Sequence, residues 1–486
     1  ICLGMEFEND EARRSYFTEE LRKKLQDPEF RKIEGFPIGK DEDILILSDP
    51  PYYTACPNPW ISEFIEEWES QKPEKPADYH YHREPFAADV SEGKNDPIYR
   101  IPSYHTKVPP KAIEKYILHY TEPGDIILDG FSGSGMVGVA CTNPKYRTHD
   151  RHAILVDLSP FATSMASFMC SPIDILDQSN FLSKWLVENI DPMYQCDKNN
   201  SSKTFEYAIW SYWGKCPECD NSFRLYDLIV DYKNERLMDK YKCPQCKVEI
   251  NSRNQEKFFT TEFDRFLKKP HLSAKNSLVL ISELEGNKTL RRDATEYDLG
   301  VYENSFEEIQ EFTPSELPYM HMTHERNNLP KNWGISHINH FYTDRNYTAL
   351  AKLCSISNFQ YRRFALFCAT RALYRNFTKR NRFHVYKYSP KGSPIGPLSN
   401  TLYVPVLQVE SNVSAKTQEV INLVKSQSNK WTKKHAVIST QSITNVKQLK
   451  SNSVDFIFTD PPFGGNINYS EQNYLIEWWL KVFTNN

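Results

Sequence analysis

The sequence predicts an α/β protein built on an open, largely parallel sheet, with a small cysteine-rich module and a long α+β insert placed within it. Three stretches carry that reading. Ile126-Ile127-Leu128 is a short buried run that breaks into the glycine-rich turn Asp129-Gly130-Phe131-Ser132-Gly133-Ser134-Gly135, and a helix pattern starts at Met136. Ile154-Leu155-Val156 is the next buried run and ends at Asp157, which makes a strand–helix–strand unit. Val454 to Phe458 is a third, and it runs out into Asp460-Pro461-Pro462-Phe463. The two prolines make a stiff extended turn, so an acid, two rigid carbonyls and a ring stand together at a strand's end.

Composition bounds the answer. At 486 residues, 40% hydrophobic and 25% charged, the chain has room for several soluble domains. No apolar run is long enough to span a membrane, and the first residues carry no secretory signal. Of eleven cysteines, four form two Cys-x-x-Cys pairs and the rest are scattered. That is a reduced pattern, and the expected location is the cytoplasm of a prokaryotic-type cell. The net charge of -4 does not suggest a nucleic-acid binder. From Tyr361 to Asn400, however, there are nine Lys or Arg and no Asp or Glu. Phe364, Phe367, Tyr374, Phe377, Phe383, Tyr386 and Tyr388 interleave with these bases. The segment predicts a surface that tracks phosphates and stacks bases.

In chain order, residues 1–97 read as a helical segment. Phe17, Leu21 and Leu25 share one helix face, and Ile44 to Leu47 reads as a strand leading into Asp49-Pro50-Pro51-Tyr52. Residues 98–200 hold the glycine turn, after a helix from Val108 to Tyr120 with Pro109 and Pro110 in its first turn. Ser159 caps the helix that follows Asp157, with Pro160 at its first position. Residues 205–255 hold the cysteine pairs. Residues 256–440 form the insert, and its basic, aromatic part reads as a DNA-binding region; that it is also the target-recognition region is what the family resemblance described below implies. Residues 441–486 carry the last strand and a helix from Tyr474 to Val482.

The glycine turn matches G-x-G-x-x-G through Gly133, Gly135 and Gly138, and Asp157 follows near the spacing expected of the acid in that fingerprint. Asp157 is placed to accept hydrogen bonds from ribose hydroxyls. The spacing also suits a nicotinamide dinucleotide, but Asp129 ahead of the glycines repels a pyrophosphate and suits an ammonium. S-adenosylmethionine carries an ammonium, a sulfonium and a ribose, with no phosphate.

Asp129 to Gly135 resembles the cofactor motif D-x-F-x-G-x-G of amino-methylating DNA methyltransferases, which act on N6 of adenine or N4 of cytosine. His105-Thr106-Lys107-Val108-Pro109-Pro110 resembles the cofactor-side motif preceding it, and Asp460-Pro461-Pro462-Phe463 resembles the family's catalytic tetrapeptide. The resemblance implies a Rossmann-like, S-adenosylmethionine-dependent sheet. It implies cofactor binding by His105, Thr106, Lys107, Asp129, Phe131, Gly133, Gly135 and Asp157. It implies catalysis by Asp460, Pro461, Pro462 and Phe463 on a base flipped out of DNA. An acid in the tetrapeptide is commoner for adenine in that family, so N6 of adenine is the expected target. A role in restriction-modification or phage defence follows by analogy alone. A non-catalytic DNA-binding or scaffold subunit and an RNA methyltransferase are the other readings.

Asp49-Pro50-Pro51-Tyr52 has the same ingredients and is the second catalytic candidate. Motif order favours Asp460, because the stretch between residues 53 and 98 is too short and proline-rich to hold the rest of a sheet. After Phe463 the sequence runs only to Asn486, enough for one helix and no further strands. The expectation is therefore a sheet incomplete at its C-terminal side, in a fragment or in a chain completed by another subunit or a restriction or defence complex. The first residue, Ile1, fits the fragment.

Cys216-Pro217-Glu218-Cys219 and Cys243-Pro244-Gln245-Cys246 are separated by the stretch from Asp220 to Lys242. Two such pairs at this spacing are the signature of a zinc ribbon with a closed four-thiolate site for structural Zn²⁺. The ribbon is expected to recognise DNA or a partner. His321, His324, His337 and His340 read as ordinary surface or core histidines.

Overall fold

The computed structural model describes residues 1–485 apart from 172–173, 201–202, 252–253, 286–287, 319–329, 374, 388, 400, 428–435 and 463–468. Phe463 of the tetrapeptide lies outside the described residues, as do Tyr374, Tyr388, His321 and His324. The chain divides into two units. The first is Ile1–Asn180 with Ser357–Arg371 and Val420–Asn486, and the second is Phe181–Ile356 with Ala372–Glu419. Among the described residues no helix is long and apolar enough to cross a membrane.

In the first unit the labelled elements are α1 (Asp10–Leu25), α2 (Asp41–Leu47), β1 (Tyr53–Thr54), α3 (Ile61–Ser70), α4 (Pro110–Tyr120), β2 (Ile126–Asp129), α5 (Met136–Thr142), β3 (His152–Asp157), α6 (Pro160–Met169), α7 (Phe359–Leu373), β4 (Val437–Thr440), β5 (Phe456–Ile457) and α8 (Tyr469–Leu480). The strands form one five-stranded sheet in the order β1-β4-β3-β2-β5, parallel throughout. A parallel sheet must be covered on both faces, so its strands read as unbroken apolar runs. Ile126, Leu128, Ile154, Val156 and Val437 face α3, whose Ile61, Phe64, Ile65 and Trp68 complete that side of the core. β4 fell within the predicted insert, yet it lies in this sheet between β1 and β3.

Residues 44–47 form part of α2 rather than a strand. Asp41, Glu42 and Asp43 occupy the first turn, where carboxylates oppose the helix dipole favourably. Ile44 and Leu45 are buried while Ile46 is exposed, a pattern no period-two strand gives. The last strand is shorter than Val454–Phe458. It is held to β2 by its own acid: the Asp455 carboxylate accepts the Ile126 N–H at 2.7 Å, and the Phe458 N–H donates to the Leu128 carbonyl at 3.1 Å.

Among the described residues the basic, aromatic segment presents no stacking surface. Phe364, Phe367, Phe377 and Phe383 are core side chains, and of the aromatics named above Tyr386 is exposed. The bases serve the fold as well. Arg371 donates to the Ile101 carbonyl at 2.9 Å, and Arg382 to the Gly396 carbonyl at 3.0 Å. The signal failed because an arginine that caps carbonyls leaves the same composition as one awaiting a phosphate.

The second unit is organised on the long strand Phe205–Lys215, central in an eight-stranded sheet between Asn276–Glu285 and Leu407–Ser411. Beneath it lies a buried ion pair. Arg345 donates Nε and Nη2 to Glu410 at 2.9 and 2.7 Å, and Trp210 Nε1 and the Thr343 hydroxyl donate to the same carboxylate, each at 2.7 Å. The guanidinium lies 4.7 Å from the Phe205 ring centroid and 5.2 Å from that of Tyr302. A buried pair of this kind stabilises little as a whole, but removing one partner strands the other charge. Glu410→Gln is therefore expected to destabilise the second unit by about 3–5 kcal/mol. Calorimetric unfolding checks this: one transition falls while that of the first unit stays in place.

Candidate active site

The site is assembled at the carboxyl ends of β2, β3 and β5, where open α/β sheets bind ligands. Asp129 ends β2 and is 5% exposed. Its Oδ1 accepts the Phe131 N–H at 3.1 Å and the Thr459 hydroxyl at 3.2 Å. Burial pushes its carboxyl up to about 7, and the charges of Asp157 and Asp460 add to the effect. Asp157 ends β3, and burial raises its carboxyl as well. One Asp157 oxygen accepts the Gly133 N–H at 2.8 Å and the other the Ser159 N–H at 2.9 Å, which pins the glycine turn to the start of α6. Gly133 and Gly135 have φ of +50° and +79°. A Cβ on Gly133 would stand 3.1 Å from the Tyr104 ring, and one on Gly135 would collide with Ala166. Phe131 is 40% exposed beside this turn.

β5 is the neighbour of β2, so the tetrapeptide leaves the sheet beside the cofactor turn. Thr459 binds Asp129, and the next residue, Asp460, is exposed, as are Pro461 and Pro462. Among the described residues the Asp460 carboxylate has no hydrogen-bond partner.

The preceding motif divides its labour. His105 Nε2 pairs with Asn473 Oδ1 at 2.9 Å, and the Thr106 hydroxyl lies 3.4 Å from that of Tyr469. Lys107 instead ties its own loop, donating to the carbonyls of Tyr99 and Pro102. Sequence reasoning missed the partners on α8. Asn473 Nδ2 donates to the Ser159 hydroxyl at 3.0 Å, and that hydroxyl donates to buried Glu477 at 2.6 Å. Tyr469, Asn473 and Glu477 recur at every fourth position, so one face of the helix carries a polar stripe, and that period was the available signal.

Asp49 is placed differently. Its motif precedes β1, the border strand farthest from β5, with three strands between. The side chain is 5% exposed, with Arg13 Nη2 on Oδ1 at 2.9 Å and Arg363 Nη1 on Oδ2 at 2.8 Å. Arg13 also donates to the Pro50 carbonyl, and its guanidinium lies 5.0 Å from the Tyr52 ring centroid. The Pro51 carbonyl accepts from Asn58 at 2.8 Å. The acid of this twin is engaged within the protein on both oxygens.

In the second unit the four cysteines converge, each offering a sulfur within 4.8 Å of the others. Cys216 and Cys246 Sγ are 3.6 Å apart, and Cys219 and Cys243 Sγ 3.7 Å. Four thiolates about 2.3 Å from one tetrahedral ion stand about 3.8 Å from each other, so the cage has the right size for zinc. Each pair sits on the same turn: Asp220 and Lys247, which directly follow Cys219 and Cys246, have φ of +58° and +64°.

A family model described as DNA methylase, of the N6/N4 type, matches residues 16–168. The match supports a likeness to the amino-methylating DNA methyltransferase family over that stretch. It takes in Asp49 to Tyr52 and the cofactor turn, and stops before Asp460. Neither the curated proteins nor the solved structures give a match to the chain.

Two outcomes are expected. The raised Asp129 carboxyl holds its proton in the native state up to about 7, whereas unfolded it ionises near 4. The native state loses stability as pH rises between those values. Asp129→Asn removes the penalty, so its advantage over the wild-type apoprotein in denaturant titrations grows from pH 4 to 7 and then levels, reaching on the order of 4 kcal/mol. For the cysteines, elemental analysis is expected to find about one zinc per chain. Cys219→Ser lowers that content, and cobalt substitution gives thiolate charge-transfer bands in the wild type alone.

Proposed function

We propose that the chain transfers a methyl group from S-adenosylmethionine to the exocyclic amine of a base flipped out of DNA, N6 of adenine in preference to N4 of cytosine. The observation that carries this reading is the contact of Thr459 with Asp129. It joins the strand bearing Asp460 to the strand bearing the glycine turn, with Asp460 exposed beyond it.

The residues fit such a cofactor. Asp129 is a buried acid with no cationic partner among the described residues, which suits an ammonium. His105, Thr106, Asp129, Phe131, Gly133, Gly135 and Asp157 would hold it, and Lys107 contributes through the loop it ties. When bound, it supplies an electrophilic methyl on a sulfonium. An aromatic amine is a poor nucleophile because its lone pair is delocalised into the ring. The Asp460 carboxylate and the Pro461 carbonyl each accept a hydrogen bond from one amino N–H and draw the nitrogen toward tetrahedral geometry; the N–C bond forms as the sulfonium S–C bond breaks, and one amino proton then leaves to solvent. Pro462 stiffens the turn so that both acceptors are oriented before the base arrives. Phe463 is assigned to stacking on the base, from the resemblance.

Asp49, Pro50, Pro51 and Tyr52 are assigned a structural role. The cysteine cage is assigned a structural zinc ion and the ribbon a part in recognising DNA or a partner. A place in restriction-modification or phage defence, in a larger complex, rests on analogy.

Tritiated methyl transfer to duplex DNA tests the reading, with duplex RNA as competitor. Asp460→Ala is expected to lower transfer by about 10²–10³-fold with S-adenosylmethionine binding retained. Asp49→Ala is expected to act through stability, because it strands Arg13 and Arg363. Full transfer without the Asp460 carboxylate would sink the assignment, and transfer to RNA in preference to DNA would change the substrate.

A further inference from the structure

The polar stripe of α8 reaches each of the segments assigned to the cofactor. Asn473 pairs with His105, which precedes α4, and with Ser159, which caps α6 just after Asp157. The Tyr104 hydroxyl also pairs with Asn473, and a Cβ on Gly133 would stand 3.1 Å from the Tyr104 ring. One amide therefore touches residues beside the glycine turn, the strand acid and the preceding motif.

The hydrogen bonds of this relay have a direction, and buried Glu477 sets it. Its carboxylate accepts the Ser159 hydroxyl at 2.6 Å, the Thr484 hydroxyl at 2.7 Å and the Thr484 N–H at 2.9 Å, with the Phe161 N–H as a further donor. Burial pushes the carboxyl up from its ordinary value, and these donors oppose the rise. An ionised carboxyl accepts all of them, whereas a protonated one needs a hydroxyl to turn round. Ser159 has one hydroxyl proton and gives it to Glu477. Its oxygen accepts the Asn473 Nδ2–H at 3.0 Å and the Ala162 N–H at 3.4 Å, and no proton is left for Asn473. Nδ2 therefore faces Ser159, and Oδ1 faces His105 Nε2 at 2.9 Å. An amide oxygen only accepts, so the His105 proton sits on Nε2, and Nδ1 of the neutral ring is an acceptor.

That state suits the cofactor. S-adenosylmethionine presents an ammonium and a sulfonium, which an imidazolium would repel and a neutral imidazole does not. Tyr469 holds the ring from the side, edge-on, with centroids 5.2 Å apart.

We infer that Asn473 and Glu477 are positioning residues of the cofactor site: Glu477, through Ser159 and Asn473, holds the His105 proton on Nε2 and so keeps a neutral imidazole of fixed orientation beside the cofactor. The inference rests on the S-adenosylmethionine reading and deepens it.

The test reads the tautomer directly. In the nitrogen NMR spectrum of the full, zinc-loaded chain carrying isotope-labelled histidine, the His105 signals are assigned by their absence from His105→Gln. They are expected to show a protonated Nε2 and a bare Nδ1, with and without S-adenosylmethionine. Glu477→Gln keeps the volume but can donate as well as accept, so His105 is expected to show both tautomers. Asn473→Leu is expected to raise the calorimetric dissociation constant for S-adenosylmethionine roughly fivefold, the loss of about one hydrogen bond. KM for the cofactor is expected to rise by a similar factor while kcat changes little. A proton on Nδ1 in the wild-type chain overturns the inference, and that reading needs no variant to fold. A pure Nε2–H tautomer in Glu477→Gln overturns it as well, as does wild-type affinity in Asn473→Leu. A wild-type chain that binds no S-adenosylmethionine fails the underlying reading, and the role of His105 with it, whichever tautomer it shows.

Discussion

The structure of the first unit depends on the pairing of β5 with β2. These strands lie far apart in the sequence, and only two residues of β5 enter the ladder. Asp455 makes up the shortfall. Its side chain accepts the Ile126 N–H and binds Lys72 at 2.6 Å, so an acid stands in for an additional strand residue. Tyr120 stacks on Phe456 with centroids 5.2 Å apart, and Tyr116 meets Phe458 edge-on, so α4 covers the same junction. With the register fixed there, Thr459 reaches Asp129, and the tetrapeptide emerges where the glycine turn begins.

That register separates two motifs that look alike in sequence. Both are Asp-Pro-Pro followed by an aromatic residue. One follows a strand beside the glycine turn and leaves its acid in solvent. The other precedes a border strand and buries its acid between two arginines. The difference lies in long-range partners: Arg13 comes from the first helix and Arg363 from α7, late in the chain. The family match covers the buried twin and the glycine turn together, so resemblance alone does not rank the two acids, and the proposed ranking rests on their different charge environments.

Much of the architecture was legible where local chemistry is restrictive. The left-handed turn at Gly133 and Gly135, the proline-led start of α4, the Ser159 cap and the paired cysteine turns all require particular residues at particular spacings. Legibility ended where a residue type serves several ends. The aliphatic run at 44–47 fits a strand or a helix, and the acids just before it were the unused clue. Arginines among aromatics at 361–400 fit a nucleic-acid surface or a core whose carbonyls need donors. The Tyr469, Asn473 and Glu477 stripe was visible only as a period, and its partners His105 and Ser159 lie far earlier in the chain.

The central question is which acid meets the substrate amine. The direct measurement is a structure of the full chain with a non-reactive S-adenosylmethionine analogue and a duplex carrying the target adenine. The expected result is the Asp460 carboxylate within about 3 Å of the exocyclic nitrogen of a flipped base, with Asp49 still held by Arg13 and Arg363. A flipped base bound at Asp49, with Asp460 remote from it, would contradict the assignment.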